Sequence, residues 1–416
     1  MTVINELRMR ETPDMSLRLG WNASTRTRLA LSMAVMGLLL IGANLATPLY
    51  PLIQARLGLG ALGTTMGFTS YVFALIAGLL VYGHWSDYLG RRAAMTVAVI
   101  LGLAGTLVFG TADGLAQLMA GRILQGAAVA LATGACSASL RELLPGNQQL
   151  ASRLTLLISA GGVASGPVLG GVLALLPNPT RTAFLVHGVA LALLLVPLLV
   201  IRARPAVDPT PAAGYKVLRP RRPALPREAI APFWVAGAIG FLSFSLFGFA
   251  LALAPAFLSA EFGLAPGLPT GAMAALVLAA SALSQFIGRD FHRPARALVL
   301  ALLVLSLASL AMGFSGRAPS PVLFVVGAVV AGLAQGVAFR IGFNAVSLAV
   351  PARAHAQAIS AVYVLTYLGS AVPVLGLGAA AGASSLAATV PVFMVMVAVG
   401  CLGVAGYVLL RRKADA

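Results

Sequence analysis

The chain has 416 residues, of which 59% are hydrophobic and only 9% are charged. Because about a quarter of the residues of an average soluble protein are charged, this composition excludes a soluble globular protein. The mean hydropathy of +0.95 supports the same conclusion. The formal net charge of +17 would suit a nucleic-acid partner, but the positions of the basic residues do not require one.

Apolar runs long enough to cross a bilayer follow one another along the whole chain. A transmembrane helix needs about 20 consecutive apolar residues, and runs rich in Leu, Ala, Val and Gly indicate helices rather than strands. We number the twelve runs span 1 to span 12 in chain order: 30–53, 64–83, 93–112, 115–141, 149–175, 181–202, 230–259, 269–288, 294–314, 320–349, 355–380 and 384–410. The sequence therefore predicts an all-α integral membrane protein with twelve transmembrane helices.

The basic residues lie mostly on one side of the predicted membrane domain. The loops that follow odd-numbered spans carry only Arg56, Arg181 and Arg317, whereas the tails, the central linker and the other loops carry most of the rest. The positive-inside rule then places both termini in the cytoplasm. We expect a multi-pass monomer of the cytoplasmic (inner) membrane, embedded in the lipid bilayer, with no nucleic-acid partner.

A polar segment rich in proline and arginine, residues 203–229, separates six spans from six. Its composition predicts a cytoplasmic linker without a packed domain. The predicted organisation is an N-terminal cytoplasmic tail over 1–29, a six-helix bundle over 30–202, this linker, a second six-helix bundle over 230–410, and a cytoplasmic tail over 411–416.

Short sequences recur between the two predicted bundles. Residues 125–126 in span 4, Gln-Gly, recur at 335–336 in span 10, and Pro-Val-Leu-Gly at 167–170 in span 5 recurs at 373–376 in span 11. Similar segments at corresponding positions indicate an internal repeat about an axis along the membrane normal. We therefore expect the two six-helix bundles to be pseudo-symmetric.

The loop between spans 2 and 3 carries charges between two long apolar runs. It contains Gly83, Asp87, Gly90, Arg91 and Arg92, and these charges must lie at a membrane surface because the bilayer core penalises them. Position by position, the five residues resemble the G-x-L-a-D-x-x-G-R-[RK] signature of the major facilitator superfamily. Trp85 stands where that signature usually has Leu.

The resemblance implies that this loop forms a conformational lock at the cytoplasmic face. In physical terms, Asp87 can sit at the positive N-terminus of span 11, near His355 and Ala356. Arg91 can pair with Glu142 at the cytoplasmic end of span 4.

Span 4 contains Arg122, Gln125 and Gly126. Their R-x-x-Q-G spacing resembles the motif of the same superfamily whose arginine is associated with proton coupling. An arginine inside a membrane helix must face a polar partner or a wet cavity, or else extend to the headgroups. Both interpretations are open from the sequence.

Span 5 contains Gly161, Gly166, Pro167, Gly170 and Gly171. They match the G-x-x-x-x-G-P-x-x-G-G pattern of the superfamily's antiporters, which its symporters generally lack. Such glycines let helices approach backbone to backbone, and the proline bends the helix. The alternative is the small-residue packing found in any helical bundle.

A substrate cavity is expected between the two bundles near the midplane. Its candidate residues combine polar and aromatic side chains: Asn44, Tyr50, Phe244, Gln335, Arg340, Asn344, Tyr363 and Tyr367. Aromatic walls suit lipophilic ligands, with a few polar groups for orientation. Helix–helix hydrogen bonds and core packing are the alternative interpretation.

The sequence shows no catalytic constellation and no Walker-type phosphate loop. We expect no enzyme, no metal and no cofactor, with an ion gradient, which the resemblance implies to be protons, as the energy source. The predicted function is export of small, moderately lipophilic molecules by alternating access, as in the drug:proton antiporter branch. The alternatives are an uptake symporter or uniporter of the same fold and, more remotely, a membrane protein that does not transport.

The positions of the charged residues predict a preference for anions. The acidic residues nearest the spans all lie at helix ends: Asp87, Asp113, Glu142, Glu261 and Asp290. Arg122 and Arg340 lie inside apolar runs, and two buried cations without a fixed counter-ion favour an anionic or strongly dipolar substrate. Proton coupling would then need Asp113, Glu261, His187 or the substrate itself.

Overall fold

The computed structural model describes residues 23–201, 229–287, 291–317, 320–350 and 352–414. Over these residues the chain is almost entirely helical and contains no strand. Twelve helices are long and apolar enough to cross a membrane. The prediction of an all-α membrane protein with twelve spans is confirmed.

The spans begin and end close to the predicted positions. Their bounds are Thr25–Leu57, Ala61–Val81, Arg91–Gly110, Leu115–Leu143, Gln148–Leu173, Pro179–Val200, Ile230–Ala252, Leu268–Ile287, Pro294–Arg317, Pro321–Ala349, Ala358–Ala383 and Leu386–Arg411. Two short helices lie outside them, Ser86–Leu89 in the loop after span 2 and Ala254–Phe262 after span 7.

Spans 1 and 7 are both broken at the end where the chain turns toward the next span. Span 1 passes through a 3-10 turn, and Pro48 and Pro51 start the turn and the helix after it. Span 7 is followed at once by a second short helix that has Pro255 in its first turn. Proline is tolerated there because the first helical N–H groups have no intrahelical acceptor. The same break in both halves of the chain supports the internal repeat.

The described residues form two compact units. The first comprises the described parts of Met1–Asn44, Phe73–Gly166 and Asn178–Pro220, and the second those of Leu45–Val72, Pro167–Pro177 and Arg221–Ala416. Spans 1, 2 and 5 each contribute to both units. The division into six and six spans stays a prediction, as do the two tails and the linker, which lie largely outside the described residues.

Within the first unit, spans 3 and 4 pack backbone to backbone. A Cβ atom placed on Gly105 would lie 2.8 Å from the carbonyl oxygen of Gly121, and one on Gly121 would lie 2.7 Å from the amide of Phe109. Such contact needs small residues on both helices. It brings Arg122 and Gln125, on the same stretch of span 4, close to spans 1 and 3.

Within the second unit, span 11 packs closely on span 7. A Cβ atom on Gly369 would lie 2.6 Å from the Cα atom of Phe241, and one on Gly248 would lie 2.7 Å from the carbonyl oxygen of Ser370. Phe249 and Phe257 are almost fully buried nearby, with ring centroids 6.1 Å apart. This packing sets the position of the aromatic residues on spans 7 and 11.

Candidate functional site

Arg91 joins three side chains at the start of span 3. Its Nη1 donates to Asp87 Oδ1 at 2.5 Å and to Ser86 Oγ at 2.6 Å, while Nε and Nη2 donate to Glu142 Oε1 at 3.0 and 2.7 Å. The predicted pairing of Arg91 with Glu142 is confirmed. Gly90 precedes Arg91 with φ 87° and ψ 146°, a conformation that favours glycine. The network therefore depends on both the charges and this turn.

The other residues of the loop signature make backbone contacts. Arg92 donates to the carbonyl oxygen of Ile201, the residue directly after span 6. Gly134 of span 4 lies against the carbonyl oxygen of Gly83, so that a side chain at position 134 would overlap it. The loop is thus packed against span 4 and the end of span 6 in the first unit.

Trp85, the departure from the usual signature, packs against Tyr82 with ring centroids 5.6 Å apart. Partial burial raises the pKa of the Tyr82 hydroxyl above its usual value, because removal from water disfavours the charged form. The hydroxyl therefore stays neutral at physiological pH. The predicted placement of Asp87 beside His355 and Ala356 involves side chains outside the described residues, and it stays a prediction.

Arg122 is buried inside the first unit, with only 1% of its surface exposed. Its Nη1 donates to the carbonyl oxygen of Ala43 at 2.6 Å and to Gln125 Oε1 at 2.9 Å. The guanidinium carbon lies 6.0 Å from the centroid of the Phe109 ring. The predicted polar partners are present, and the burial excludes extension to the headgroups. Gly126 is also buried in this packing.

His187 of span 6 lies next to the same part of span 1. Its Nε2 is 3.0 Å from the carbonyl oxygen of Leu38, and its Nδ1 is 3.2 Å from Thr106 Oγ1 of span 3. Gly42 leaves room for the imidazole, since a side chain there would overlap the ring. His187 therefore joins spans 1, 3 and 6.

The span 5 glycines pack against span 1. A Cβ atom on Gly166 would lie 2.6 Å from the Cβ of Asn44, and one on Gly170 would lie 3.0 Å from Pro48 Cγ and overlap the carbonyl oxygen of Leu45. A Cβ atom on Gly161 would meet no atom of another helix within 4 Å. Its predicted part in close packing is therefore wrong, because position 161 faces away from span 1. A Cβ atom on Gly162, which the sequence analysis did not single out, would lie 2.9 Å from the Cβ of Leu40.

Within the second unit, span 5 also meets span 8, and span 2 meets span 11. A Cβ atom on Gly171 would lie 2.6 Å from the Cα of Leu268. Side chains at Gly271 and Gly378 would overlap the carbonyl oxygen of Pro167 and the side chain of Thr65, respectively. We call these three glycines the small-residue contact. Through this contact span 5 packs tightly on span 8, and span 2 packs tightly on span 11. The contact lies at the ends of spans 2 and 5 that are nearest the loop between spans 1 and 2.

Three predicted cavity residues are buried in helix packing. Asn44 donates to the carbonyl oxygen of Leu40 in its own helix at 2.8 Å, and Tyr50 is almost fully buried. Gln335 accepts a hydrogen bond from Ser281 Oγ of span 8. Buried polar groups in helical bundles commonly make such bonds, which is the alternative interpretation given above.

Arg340 and Asn344 lie nearer the end of span 10 that precedes span 11. The Arg340 guanidinium carbon lies 5.5 Å from the centroid of the Phe291 ring, and Asn344 is exposed. Arg340 and Arg122 therefore both have partners. The partners named here are a backbone carbonyl, an amide and an aromatic ring, all of them neutral. The preference for an anionic or strongly dipolar substrate, which rests on buried cations without a fixed counter-ion, stays a prediction.

Three of the four predicted aromatic residues, Phe244, Tyr363 and Tyr367, do lie together. Phe244 of span 7 contacts Tyr367 of span 11 at 5.5 Å between ring centroids, and Tyr363 and Tyr367 are 6.3 Å apart. Phe339 and Phe343 of span 10 complete this group. The sequence analysis missed both, although their four-residue spacing matches that of the two tyrosines and puts each pair on one helix face.

The sequence model described as the Major Facilitator Superfamily matches residues 32–374. The chain belongs to this superfamily. Among curated relatives, the MFS-type transporter YdgK of Bacillus subtilis is 27% identical over 44% of this chain and 46% of its own length. MdtD of Klebsiella pneumoniae, named as a multidrug resistance protein, is 32% identical over 30% of this chain and 26% of its own. The uridine/deoxyuridine transporter of Lactococcus lactis is 30% identical over 38% of this chain and 33% of its own length.

The matched region spans less than half the length of these curated relatives. Solved structures extend the likeness over nearly the whole chain, at the level of the fold alone. A bacterial homologue of the human lysosomal transporter Spinster, inward-facing and occupied, has a TM-score of 0.75 with 15% identity, covering 95% of this chain and 98% of its own. The human organic anion transporter MFSD10 has a TM-score of 0.62 with 17% identity, and the match covers 93% of this chain and 100% of MFSD10. Apart from MdtD, these proteins are named as transporters, and none is named as an enzyme.

Proposed function

We propose that the chain is a secondary transporter that exports small, moderately lipophilic molecules by alternating access. It works as a monomer in the cytoplasmic membrane with both termini in the cytoplasm, uses no cofactor and draws its energy from a proton gradient. Membership of the superfamily supports transport. The likeness to MdtD, named as a multidrug resistance protein, supports lipophilic cargo.

The observation that carries export is the packing of the span 5 motif. Gly166 and Gly170 are in close contact with span 1, and Gly171 with span 8. The motif resembles that of the superfamily's antiporters, and its order of glycine and proline is used here in two different helix contacts. Small-residue packing without a motif would not require this order.

The Arg91 network supports a conformational lock in the loop between spans 2 and 3. Asp87 and Glu142 are bonded to the same guanidinium, so a movement that separates the loop from span 4 must break charge-assisted hydrogen bonds. Such bonds are stronger than neutral ones. The free-energy cost of breaking these bonds falls only on the conformational state in which the loop and span 4 are apart, as alternating access requires.

His187 is a better candidate for the residue that carries the proton than Asp113 or Glu261, the two acids near the opposite helix ends. Asp113 is 79% exposed and pairs with Arg181 at 3.3 Å, so it lies at the surface. His187 is buried, and its partner Thr106 has a hydroxyl that can either donate or accept. The imidazole can therefore gain a proton at Nδ1 without losing either hydrogen bond. Arg122, bonded to Ala43 beside Gly42, is the charged group on the adjoining helix that opposes this protonation.

A His187→Gln variant tests this assignment. It should keep exchange of substrate down its own gradient but lose accumulation driven by a proton gradient, because glutamine can hydrogen-bond but cannot titrate. Proton-driven accumulation at the wild-type level in this variant would exclude His187 as the proton carrier.

Uptake is the second candidate function. One relative, the Lactococcus lactis protein, is named as a uridine/deoxyuridine transporter. Uptake needs the same fold and the same alternating access, and it differs in the direction of net movement under a proton gradient.

The direction of transport decides between the two functions. Everted and right-side-out vesicles containing the full chain are energised and loaded with a panel of lipophilic compounds and nucleosides. Export predicts accumulation of lipophilic compounds in everted vesicles and its collapse when a protonophore is added. Accumulation of any compound in right-side-out vesicles along the proton gradient would instead establish uptake, and movement of none would reject both functions.

A further inference from the structure

One face of span 10 is exposed along the length of the helix. Val322, Val326 and Leu333 are 65, 52 and 38% exposed. Arg340 and Asn344 follow them at spacings of three, four or seven residues, which put side chains on one helix face. The opposite face is buried. An apolar face that no other helix covers meets lipid in a membrane, and we call it the lipid face of span 10.

Arg340 is the one charged residue of span 10, and it lies on this lipid face. It stands about two and a half helical turns before Ala349, the last residue of the span. A charge at that depth is costly beside lipid, and the long arginine side chain avoids the cost by extending to the headgroups. The guanidinium carbon lies 5.5 Å from the centroid of the Phe291 ring, in the segment between spans 8 and 9. The charge is thus held at the membrane surface where that segment lies.

The segment between spans 8 and 9 is itself basic. Residues 288–296 contain three arginines and one aspartate. Of the described residues, Arg293 directly precedes the first helical residue of span 9 and Arg296 lies in its first turn; both are exposed. This turn has no acidic residue, although the N-terminus of a helix favours negative charge. An anion at this surface would interact favourably with the arginines and with the helix end.

Apolar side chains surround this basic surface. Leu283, Phe286 and Ile287 in the last turns of span 8 are 54, 55 and 67% exposed. Span 8 adjoins this part of span 10, since a side chain at Gly336 would overlap Ser284 Oγ. A free anion would contact only the arginines. A phospholipid matches both parts, because its phosphate suits the guanidinium groups and its acyl chains suit the apolar side chains.

We propose that this surface is a binding site for one anionic phospholipid. Arg340 and Arg296 bind its phosphate group, the Phe291 ring holds the Arg340 guanidinium from one side, and the lipid face of span 10 and the end of span 8 contact its acyl chains. The site goes beyond the proposed transport function and does not depend on it. The expected orientation of the chain places the site in the cytoplasmic leaflet, whose anionic lipids attract basic residues.

The proposal changes the expected role of Arg340. The sequence analysis placed Arg340 and Asn344 in the substrate cavity, whereas a lipid site takes both out of it. The expected preference for anionic cargo then rests on Arg122 alone.

The test measures which lipid lies beside position 291. The full chain carries Phe291→Trp, which keeps an aromatic ring under Arg340, and its native Trp21, Trp85 and Trp234 are replaced by phenylalanine. It is reconstituted in phosphatidylcholine vesicles that contain brominated phosphatidylglycerol or brominated phosphatidylcholine, either of which quenches a tryptophan that it contacts. Phosphatidylglycerol should quench at a lower mole fraction than phosphatidylcholine. Inorganic phosphate in the buffer should not relieve the quenching.

Variants in this background identify the groups that select the lipid. Arg340→Gln and Arg296→Gln should each lower the preference for phosphatidylglycerol by about fivefold, whereas Arg340→Lys should keep most of it because the charge remains. Arg296 is exposed, so Arg296→Gln tests the site even if Arg340→Gln does not fold. Arg317→Gln is the matched control: Arg317 also lies over a phenylalanine ring, Phe314 at 5.0 Å, but at the other end of span 9, and the preference should not change.

A tryptophan at position 326 instead of 291 reports on the same lipid face far from Arg340, and it should show no preference between the two lipids. Equal quenching by both lipids at position 291, or an unchanged preference in both glutamine variants, would overturn the proposal. Relief of quenching by inorganic phosphate would show a site for free anions instead, and an equal loss in Arg317→Gln would show attraction by overall charge alone. A chain that moves no compound in vesicles would reject the proposed function and leave this lipid site in place.

Discussion

Single residues in the loop between spans 2 and 3 act through one arginine. Arg91 uses its nitrogens on Asp87, Ser86 and Glu142. A substitution of one partner leaves two, so the fold of the loop should persist while its hold on span 4 changes. Single substitutions in this loop should therefore change transport more than they change stability.

We expect Asp87→Asn to leave the protein in the membrane and to slow transport by about tenfold or more, since each 1.4 kcal/mol corresponds to a factor of ten. The loss of an exposed ion pair costs at most about 1 kcal/mol in stability, and Asp87 is 45% exposed. Initial transport rates and thermal unfolding of the purified protein measure the two effects. Asp113→Asn, an exposed carboxylate elsewhere, is the control, and a wild-type rate for Asp87→Asn would contradict the lock.

Arg122 should matter for stability as well as for transport. Arg122→Met removes the donor to the Ala43 carbonyl and to Gln125, and a buried polar group left without its bond costs about 1–3 kcal/mol. We expect a lower unfolding temperature in detergent. Arg181→Met, at an exposed arginine, should leave it unchanged. Equal unfolding temperatures for both variants would show that the buried hydrogen bonds contribute little.

At the scale of helices, glycine positions decide which spans can approach each other. Span 5 uses Gly166 and Gly170 against span 1, whereas a side chain at Gly161 on the same helix would point into open space. Span 11 likewise has Gly378 in contact with span 2 and Gly376 in open space. Each contact thus has a control on its own helix.

We expect Gly166→Leu and Gly170→Leu to abolish transport, because leucine would force spans 1 and 5 apart. Gly161→Leu should retain most of the activity. Transport assays at matched expression levels measure the difference. If all three variants transport equally well, the antiporter motif of span 5 has no role in packing.

The small-residue contact predicts a conformational effect. Gly378→Leu should separate span 11 from span 2 and open the end of the unit where Thr270 is fully buried. A cysteine introduced at position 270 should then react faster with a thiol reagent than it does in the parent, while Gly376→Leu leaves the rate unchanged. The native Cys136 and Cys401 are buried. Identical rates in the two leucine variants would show that this contact does not close that end.

At the scale of the whole molecule, the distribution of basic residues predicts orientation. Position 214 lies in the linker, outside the described residues, and should be cytoplasmic. Arg317 is the last residue of span 9 and is exposed, and it should face outward. In intact cells, a membrane-impermeant thiol reagent should label Arg317→Cys and not Gly214→Cys. The reverse pattern would overturn the topology.

The sequence alone determined the number and type of the membrane segments. In a bilayer each segment must satisfy its own backbone hydrogen bonds, so twelve apolar runs imply helices whatever their packing. It also predicted the pairing of Arg91 with Glu142, because charges at membrane helix ends have few possible partners.

Only the tertiary structure decided which face of each span a side chain occupies. A helix that is apolar all round carries no amphipathic signal for its orientation, so Asn44 and Gln335 looked as suitable for a cavity as Tyr367. Packing turned the first two into helix contacts and placed Tyr367 among four other rings. It also gave Arg122 its partner on span 1, a backbone carbonyl 79 residues away, which no side-chain pattern records. Contacts to backbone and between distant helices depend on how the spans meet in three dimensions.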